Sequence, residues 1–472
     1  MELTKLGIKE LQDGYKKGDF TKEEVLNSYI EKIEKEDGEI NAYITKTFEL
    51  AKKNLNKDGV LSGIPLSLKD NISVKDTRLT CGSKILENYE SPYDADVTEK
   101  VLEAGGLILG KVNMDEFAMG ATTRTSYYGA TKNPLDKTLI PGGSSGGSAA
   151  SVAGDMAVVS VGTDTGGSTR QPASYCGIVG IKPTYGTISR YGISTMANTF
   201  DSPGTMGKTV EDATILLKAI KGRSIKDATS IENKSIDEID FDKIDTNYLK
   251  GKNIAIPKLY LEFENDPQIE SEFKAAIEIL KDLGANINYV DMKYLKNVIE
   301  TYHILVNGEI SSNMARFDGI IYGKRTVDDY ETIDEMFKKT RGEGFGQEVK
   351  KRIMIGTQIL SLDLAEDYYY KALKVRGLIK SEMDKVLEDN MFILSPTSPI
   401  LPIKLDSQMT PVEIYKADMF TIPANMAGCP SLSVPMNKKN GLSVGIEFTG
   451  RRMKDNEIIN SAYLFERSKN EL

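Results

Sequence analysis

The alternation of capped helices with short apolar strands predicts an α/β fold built on a substantial sheet. Three features carry this expectation. Apolar residues recur at helical spacing behind capping residues, and short apolar runs follow them after a glycine. The rhythm then repeats on both sides of a serine- and glycine-rich centre, Pro141–Arg170 (PGGSSGGSAASVAGDMAVVSVGTDTGGSTR).

In chain order, Ile8, Leu11 and Tyr15 repeat at helical spacing and Gly18 stops the turn. Thr21 with Glu24 forms a capping box, and Val25, Leu26, Tyr29, Ile30 and Ile33 make an apolar stripe predicted to end before Gly38. Such a helix pair packs on its own core more often than it receives a partner. Ile64–Val74 (IPLSLKDNISV) alternates as a strand does. Asp96 with Glu99 predicts a capped helix closing at Gly105–Gly106, with Leu107–Val112 as the next strand. Met156–Val161 reads as a short buried strand and Thr209–Ile220 as a helix. Asn253–Ile256 is a predicted strand; Asp266 and Pro267 are the cap and first position of a helix reaching Leu283, before a strand at Asn286–Val290. Met391–Ser395 and Gly441–Phe448 read as late strands, and Ile458–Phe465 as the closing helix. Lys221–Lys252 is polar, with few apolar anchors, and is expected to be a surface excursion. With no internal repeat, residues 1–472 are expected to form one domain, of which 1–60 supply the N-terminal helices and 221–252 the excursion.

A net charge of −9 gives no overall basic field with which to hold nucleic acid. Cys81, Cys176 and Cys429 lie far apart without metal-ligand spacing, which points to buried thiols in a reducing compartment. The amino terminus has no apolar core of signal-peptide length, and no stretch approaches the ~18 apolar residues of a membrane span. A soluble cytoplasmic protein is expected.

The chemistry-bearing residues concentrate in two glycine-flanked serine clusters, Gly142–Ser148 and Gly166–Ser168, on either side of the predicted Met156–Val161 strand. Serine hydroxyls beside bare backbone N–H groups suit acyl transfer. A phosphate-binding loop would need Gly-Lys-Ser/Thr, which neither cluster has. The alternative is a pair of flexible Gly/Ser loops, against which two clusters flanking one strand weigh. Lys69 lies in an otherwise apolar run, where an isolated buried ammonium is costly. From that segment alone, a solvated strand end is the preferred reading.

Pro141–Ala150 (PGGSSGGSAA), Gly162–Arg170 (GTDTGGSTR) and Leu68–Ile72 (LKDNI) together resemble the amidase signature family. The similarity extends to Asn113–Gly120 (NMDEFAMG), Lys132–Pro134 (KNP), Gly180–Gly186 (GIKPTYG), Ser189–Gly192 (SRYG), Ser311–Gly319 (SSNMARFDG) and Phe420–Gly428 (FTIPANMAG). These segments are similar to the branch of the family that forms the A subunit of tRNA-dependent amidotransferases, over nearly the whole length. The resemblance implies a large mixed, twisted sheet covered by helices on both faces. It also implies a Ser–cisSer–Lys triad, with Lys69 as base, Ser144 as bridging serine and Ser168 as nucleophile. The N–H groups of Thr165, Gly166, Gly167 and Ser168 are then the expected oxyanion donors.

No histidine is needed for such a triad, and the only histidine, His303, is far from both clusters in sequence. A basic Lys69 must be neutral, which asks for a pKa shift from about 10.4 to near 7, roughly 4 kcal/mol, available from burial. Ile64, Pro65, Leu66, Leu68 and Ile72 are its apolar neighbours in sequence. Arg352 and Asp418 match the family's contacts to the α-carboxylate and α-amino group of glutamine. Asp164 and Arg170 are expected to satisfy buried groups around the nucleophile, and Ser145 and Ser148 to bond locally to their loop. Two segments depart from the branch pattern: Tyr302–His303 stands where two tyrosines are usual, and Thr199–Met206 (TFDSPGTM) differs from the usual run.

The activity implied by the resemblance is glutamine hydrolysis through a glutamyl-enzyme at Ser168. Ammonia would pass to a partner that activates misacylated Glu-tRNA(Gln) or Asp-tRNA(Asn) with ATP and magnesium. The implied assembly is a heterotrimer with subunits B and C, the tRNA held mainly by B, with no metal or cofactor in this chain. A stand-alone amidase acting on a small carboxamide would share the triad without the partners. A non-catalytic scaffold would have no reason to keep Lys69, Ser144 and Ser168.

Overall fold

The computed structural model describes residues 2–263, 265–408, 410–436 and 441–470. Its strands are β1 (Tyr43–Lys46), β2 (Pro65–Lys69), β3 (Leu107–Val112), β4 (Val159–Asp164), β5 (Val179–Lys182), β6 (Ser202–Gly207), β7 (Asn253–Pro257), β8 (Asn286–Val290), β9 (Phe392–Pro396), β10 (Ser431–Pro435) and β11 (Gly445–Gly450). They form one mixed sheet in the order β1-β3-β2-β4-β6-β5-β10-β11-β9-β7-β8. The parallel set β3-β2-β4 lies near one end and β9-β7-β8 at the other, with antiparallel pairings between them.

Period-two alternation sends neighbouring strand residues into different apolar clusters, so both faces are covered. Ile254 and Ile256 enter the larger cluster and Ala255 a second; Phe392 and Leu394 divide from Ile393 in the same way. β2, β3 and β4 are buried along their whole length. Any polar side chain on these strands must therefore find a partner inside the protein.

The N-terminal helices form as the caps predict, with one difference. Ile8–Lys17 ends at Gly18, whose φ of 74° is left-handed. The second helix, Lys22–Ile40, starts at the Thr21/Glu24 box and runs through Gly38. It stops at Asn41, itself left-handed at φ 60°, where the Asp37 carboxylate accepts the N–H groups of Ala42 and Tyr43. The Asp96–Glu103 helix also differs from expectation: Ala95 is its N-cap, and the Asp96 side chain instead accepts the Ser189 hydroxyl and faces Lys226.

Strand limits shift for a common reason. β2 stops at Lys69, short of Val74, and β4 covers Val159–Asp164 instead of Met156–Val161. β11 begins at Gly445 instead of Gly441. In each case apolar burial continues beyond the paired backbone, and pairing follows the neighbouring strand. The Lys221–Lys252 excursion is pinned by Ile236, Ile239 and Leu249, all buried in the main cluster.

Beside Lys69, the carboxyl ends of β2 and β3 are joined by a fully buried ion pair, Lys111 Nζ to Asp70 Oδ1 at 3.0 Å. The other Asp70 oxygen accepts the Thr80 N–H at 3.0 Å and the Thr80 hydroxyl. Lys111→Met keeps the volume but strands the Asp70 charge, and breaking a buried pair in this way costs about 3–5 kcal/mol. Equilibrium urea unfolding is expected to show a loss of that size, and an unchanged midpoint would refute the role given to the pair.

Candidate active site

Alternation along β2 points Leu66 and Leu68 into the main apolar cluster, and Ser67 and Lys69 to the opposite face. There Ser67 Oγ meets Ser151 Oγ and Ser160 Oγ, each at 2.8 Å. Two residues on, Lys69 is 0 % exposed. Its Nζ lies 2.7 Å from Ser144 Oγ, 2.8 Å from Ser145 Oγ and 2.9 Å from Thr163 Oγ1. The solvated-end reading of Lys69 is thus replaced by complete burial among hydroxyls, while its apolar neighbours in sequence face the other way. Burial lowers the Lys69 pKa to about 7, against the opposing pull of Asp115, Asp164 and Asp201.

The surrounding hydroxyls favour one proton arrangement. Ser145 Oγ donates to the Thr163 carbonyl at 3.0 Å and Thr163 Oγ1 accepts from Asn71 Nδ2 at 3.1 Å. Both therefore present acceptor capacity to Lys69. A neutral amine gives its two N–H groups to them and keeps its lone pair for the Ser144 O–H.

Ser144 follows a cis Gly143–Ser144 peptide and precedes the helix Gly146–Ala153. Its carbonyl accepts the Asp115 N–H at 3.2 Å. The Asp115 carboxylate in turn accepts Thr122 N–H (3.1 Å), Thr123 N–H (2.8 Å) and the Thr125 hydroxyl (2.9 Å). A Cβ at Gly143 would lie 2.2 Å from Asp115 Oδ2, so this approach requires glycine. Ser145 does not bond within its own loop as expected, because Lys69 and Thr163 take its hydroxyl. The Ser148 hydroxyl is buried without a partner among the described residues.

The second cluster follows β4 directly, and Ser145 N–H ties it to the first by donating to the Ser168 carbonyl at 3.2 Å. Arg170, fully buried, grips Asp164 through Nε (3.1 Å) and Nη2 (3.0 Å), and donates to Asn425 Oδ1 at 2.6 Å, the Thr421 carbonyl at 3.0 Å and Glu447 Oε1. Burial alone would raise the Asp164 pKa, but Arg170 brings it down to about 2. Glu447 shares the same guanidinium, yet burial outweighs that contact and raises its pKa to about 7.

Asp164 also accepts the N–H groups of Gly167 (2.9 Å) and Thr169 (3.1 Å). This corrects the expected oxyanion set. The Gly167 donor is already spent on Asp164, whereas the N–H groups of Gly166 and Ser168 have no partner among the described residues. Thr165 is anchored by its hydroxyl, which donates to Asp201 Oδ1 at 2.6 Å. At Gly167, φ is 136° and a Cβ would meet Thr421 Oγ1 at 2.2 Å.

Ser168, 9 % exposed, borders a cavity of about 130 Å³ whose wall includes Gly166, Tyr302, His303, Arg352, Tyr415 and Asp418. Arg352 is 4 % exposed, and Glu348 Oε1 takes its Nε at 2.8 Å. Asp418 Oδ1 is buried without a partner among the described residues; burial, then repulsion from Asp164, pushes its pKa well up. The cavity thus carries a guanidinium and a carboxyl group in its wall together with the Ser168 hydroxyl. Ser168, Arg352, Asp418 and Gly166 line it, whereas Lys69 and Ser144 are not in its wall and connect to the Ser168 segment through the Ser145 N–H to Ser168 carbonyl bond. Among the described residues no cluster of His, Cys, Asp and Glu is arranged to hold a metal ion, and no helix is long and apolar enough to cross a membrane.

Residues 24–459 match the sequence profile of the family described as Amidase. The chain belongs to the amidase family. It is 42 % identical over 473 residues to the A subunit of glutamyl-tRNA(Gln) amidotransferase from Halothermothrix orenii, covering 100 % of this chain and 98 % of that one. The corresponding protein of Thermoanaerobacter pseudethanolicus is 43 % identical over 478 residues, 99 % of this chain and 97 % of that one. Among solved structures, the A subunit of glutamyl-tRNA(Gln) amidotransferase from Thermotoga maritima superposes with a TM-score of 0.83 at 40 % identity, over 98 % of this chain and 94 % of that one. A peptide amidase of Stenotrophomonas maltophilia gives the same TM-score at 27 % identity, over 99 % and 97 %.

Several members of this amidase site escaped the sequence reading. Thr163, Asp115, Thr421 and Asn425 all lie inside motif segments, but spacing does not say which side chains meet. Glu348, Tyr415 and Glu447 carry no local signal at all.

The Asp164–Arg170 pair has a pH signature. Folded Asp164 titrates at about 2 against an ordinary 3.8, so its contribution is present above pH 3.8 and lost as pH falls through 2. Asp164→Asn is expected to cost about 3–5 kcal/mol at pH 7, because Arg170 then keeps only Glu447 as an acidic partner. Urea unfolding at pH 7 and pH 3 should show the gap to wild type narrowing at the lower pH; a constant gap would refute the assignment.

Proposed function

We propose that this amidase-family enzyme is the glutamine-hydrolysing subunit of a tRNA-dependent amidotransferase. Identity of 42–43 % over essentially full length to the A subunits of glutamyl-tRNA(Gln) amidotransferases supports the assignment. The observation that carries the chemistry is the 2.7 Å contact of the buried Lys69 amine with Ser144, whose neighbour Ser145 bonds through its N–H to the carbonyl of Ser168, a residue lining the same cavity as Arg352 and Asp418.

In the proposed reaction Arg352 pairs with the α-carboxylate of glutamine and Asp418 with its α-amino group. The side-chain amide is thereby delivered to Ser168. Ser168 Oγ bonds to the amide carbon as its proton passes to Ser144, while Ser144 gives its own proton to Lys69. The N–H groups of Gly166 and Ser168, joined by Thr165, receive the developing oxyanion. One such donor is typically worth about 2.7–4 kcal/mol of barrier. Collapse breaks the C–N bond, and the Lys69 proton returns through Ser144 to the departing nitrogen as ammonia. Water then attacks the glutamyl-enzyme by the same proton path and releases glutamate.

Neutral Lys69 is the working form, so activity follows its deprotonated fraction. With a pKa of about 7, kcat/KM for glutamine is expected to rise through pH 7 and level off above it. Lys69→Arg keeps the charge but cannot deprotonate in this range, and should lose all measurable turnover. Wild-type-like activity in that variant, or a pH-independent profile, would overturn the role of Lys69.

The ammonia is assigned to a partner subunit that activates Glu-tRNA(Gln), Asp-tRNA(Asn) or both with ATP and magnesium. The assembly is a heterotrimer with subunits B and C, with tRNA held mainly by B; a net charge of −9 on this chain fits that division. Glutamine hydrolysis should increase stepwise as partner subunits, then misacylated tRNA with ATP, are added to the purified chain. About 5- to 150-fold is the range of ordinary coupling. A chain fully active alone on simple carboxamides, and indifferent to partners and tRNA, would instead be a stand-alone amidase.

A further inference from the structure

His303 is the only histidine in the chain, and it stands in the cavity wall one residue from Tyr302. Its ring stacks on Tyr415, with centroids 3.9 Å apart and planes 35° apart. Tyr415 is held in turn by its hydroxyl, 3.1 Å from both Glu348 Oε1 and Lys351 Nζ. Glu348 also fixes Arg352 Nε, so His303, Tyr415 and Arg352 form one braced wall.

Two observations settle how this ring is presented. His303 Nδ1 is shut off from solvent and has no hydrogen-bond partner among the described residues, which leaves Nε2 as the accessible nitrogen. Burying an unpaired N–H is rarer in proteins than burying an unpaired acceptor, so the proton belongs on Nε2 and the lone pair on the sealed Nδ1. Burial, then the charges of Arg352 and Lys351, lower the His303 pKa to about 3. The imidazole is therefore neutral at any working pH. Geometry locates it: the Arg352 guanidinium carbon lies 5.6 Å from the centroid of the same Tyr415 ring on which His303 stacks, so His303 sits at the end of the cavity where Arg352 waits for an anion.

We propose that His303 is a specificity-determining residue whose Nε2–H donates a neutral hydrogen bond to the α-carboxylate of the substrate beside Arg352. This rests on the glutamine reading given above and deepens it. Arg352 supplies the charge, and the imidazole supplies a donor of fixed direction, held by its stack on Tyr415. A substrate with the carboxamide but no carboxylate leaves that donor unused.

The test uses the full chain coexpressed with its partner subunits, and compares glutamine with 4-aminobutanamide, which is glutamine without the carboxylate. His303→Phe keeps the stack and removes the donor, while His303→Gln places an amide N–H near the position of Nε2. The Phe variant is expected to raise the KM for glutamine about 10-fold, as for one hydrogen bond to a charged group, with kcat within about twofold. Its kinetics on 4-aminobutanamide should not change, and the Gln variant should recover most of the glutamine KM. An unchanged KM in the Phe variant, an equal rise for both substrates, or failure of the Gln variant to recover would overturn the inference alone. A wild-type assembly that uses 4-aminobutanamide as readily as glutamine would overturn the glutamine reading and, with it, this one.

Discussion

The site depends on the complete removal of one lysine amine from water. Lys69 lies at the end of a strand whose both faces are covered, and among the described residues no salt bridge neutralises it. Its partners are hydroxyls and a carbonyl, which can stabilise a neutral amine as well as an ammonium. Carboxylates nearby, Asp115, Asp164 and Asp201, pull toward the charged form but do not outweigh desolvation. That balance puts the amine near neutrality in function and leaves the protein to support a buried titratable group. Ser144 and Ser145 are placed by the same requirement, since the amine's hydrogen-bonding capacity must be met by side chains that carry no charge of their own.

A second constraint follows from the first. A glycine-rich loop next to a buried amine must be held by groups whose own charges are paired. Arg170 does this by spreading its donors over Asp164, Asn425, Thr421 and Glu447, and Asp164 then collects two backbone N–H groups of the loop. The N–H groups of Gly166 and Ser168 are left without a partner among the described residues. Glycine is required at 166 and 167 because Tyr302 and Thr421 pack where their Cβ atoms would be.

The cavity wall is built from more distant parts of the chain. A peptide amidase shares the fold over nearly the whole chain at 27 % identity. In this molecule the wall includes Arg352, Asp418, Tyr415 and His303, contributed by the helices Gln347–Ile359, Pro411–Lys416 and Val298–Asn313 and the turn after the second of them. These segments lie outside the strands of the sheet.

Much of this was written in local sequence. The capping box at Thr21, the cap at Asp266, the glycine-to-strand transitions and the serine clusters are all short-range signals, and each yields its element. The resemblance carried by the motifs implies one site for Lys69, Ser144 and Ser168, of which the structure shows the 2.7 Å contact between Lys69 and Ser144. Local sequence failed where a competing partner was remote: at Gly38, where Asp37 and Asn41 carry the helix three residues further, and at Asp96, whose carboxylate is claimed by Ser189 from 93 residues away. It failed most instructively at Lys69, whose apolar sequence neighbours point to the other face of the sheet, so its burial comes from Ser144, Ser145 and Thr163 on elements 75 to 94 residues away. The sequence by itself determined which residue types and which periods are present. Only the tertiary structure decided which donors remain free, that Gly167 gives its N–H to Asp164, and that His303 turns one sealed and one open nitrogen to its surroundings, because hydrogen-bond capacity and solvation belong to the packed assembly and to no segment of it.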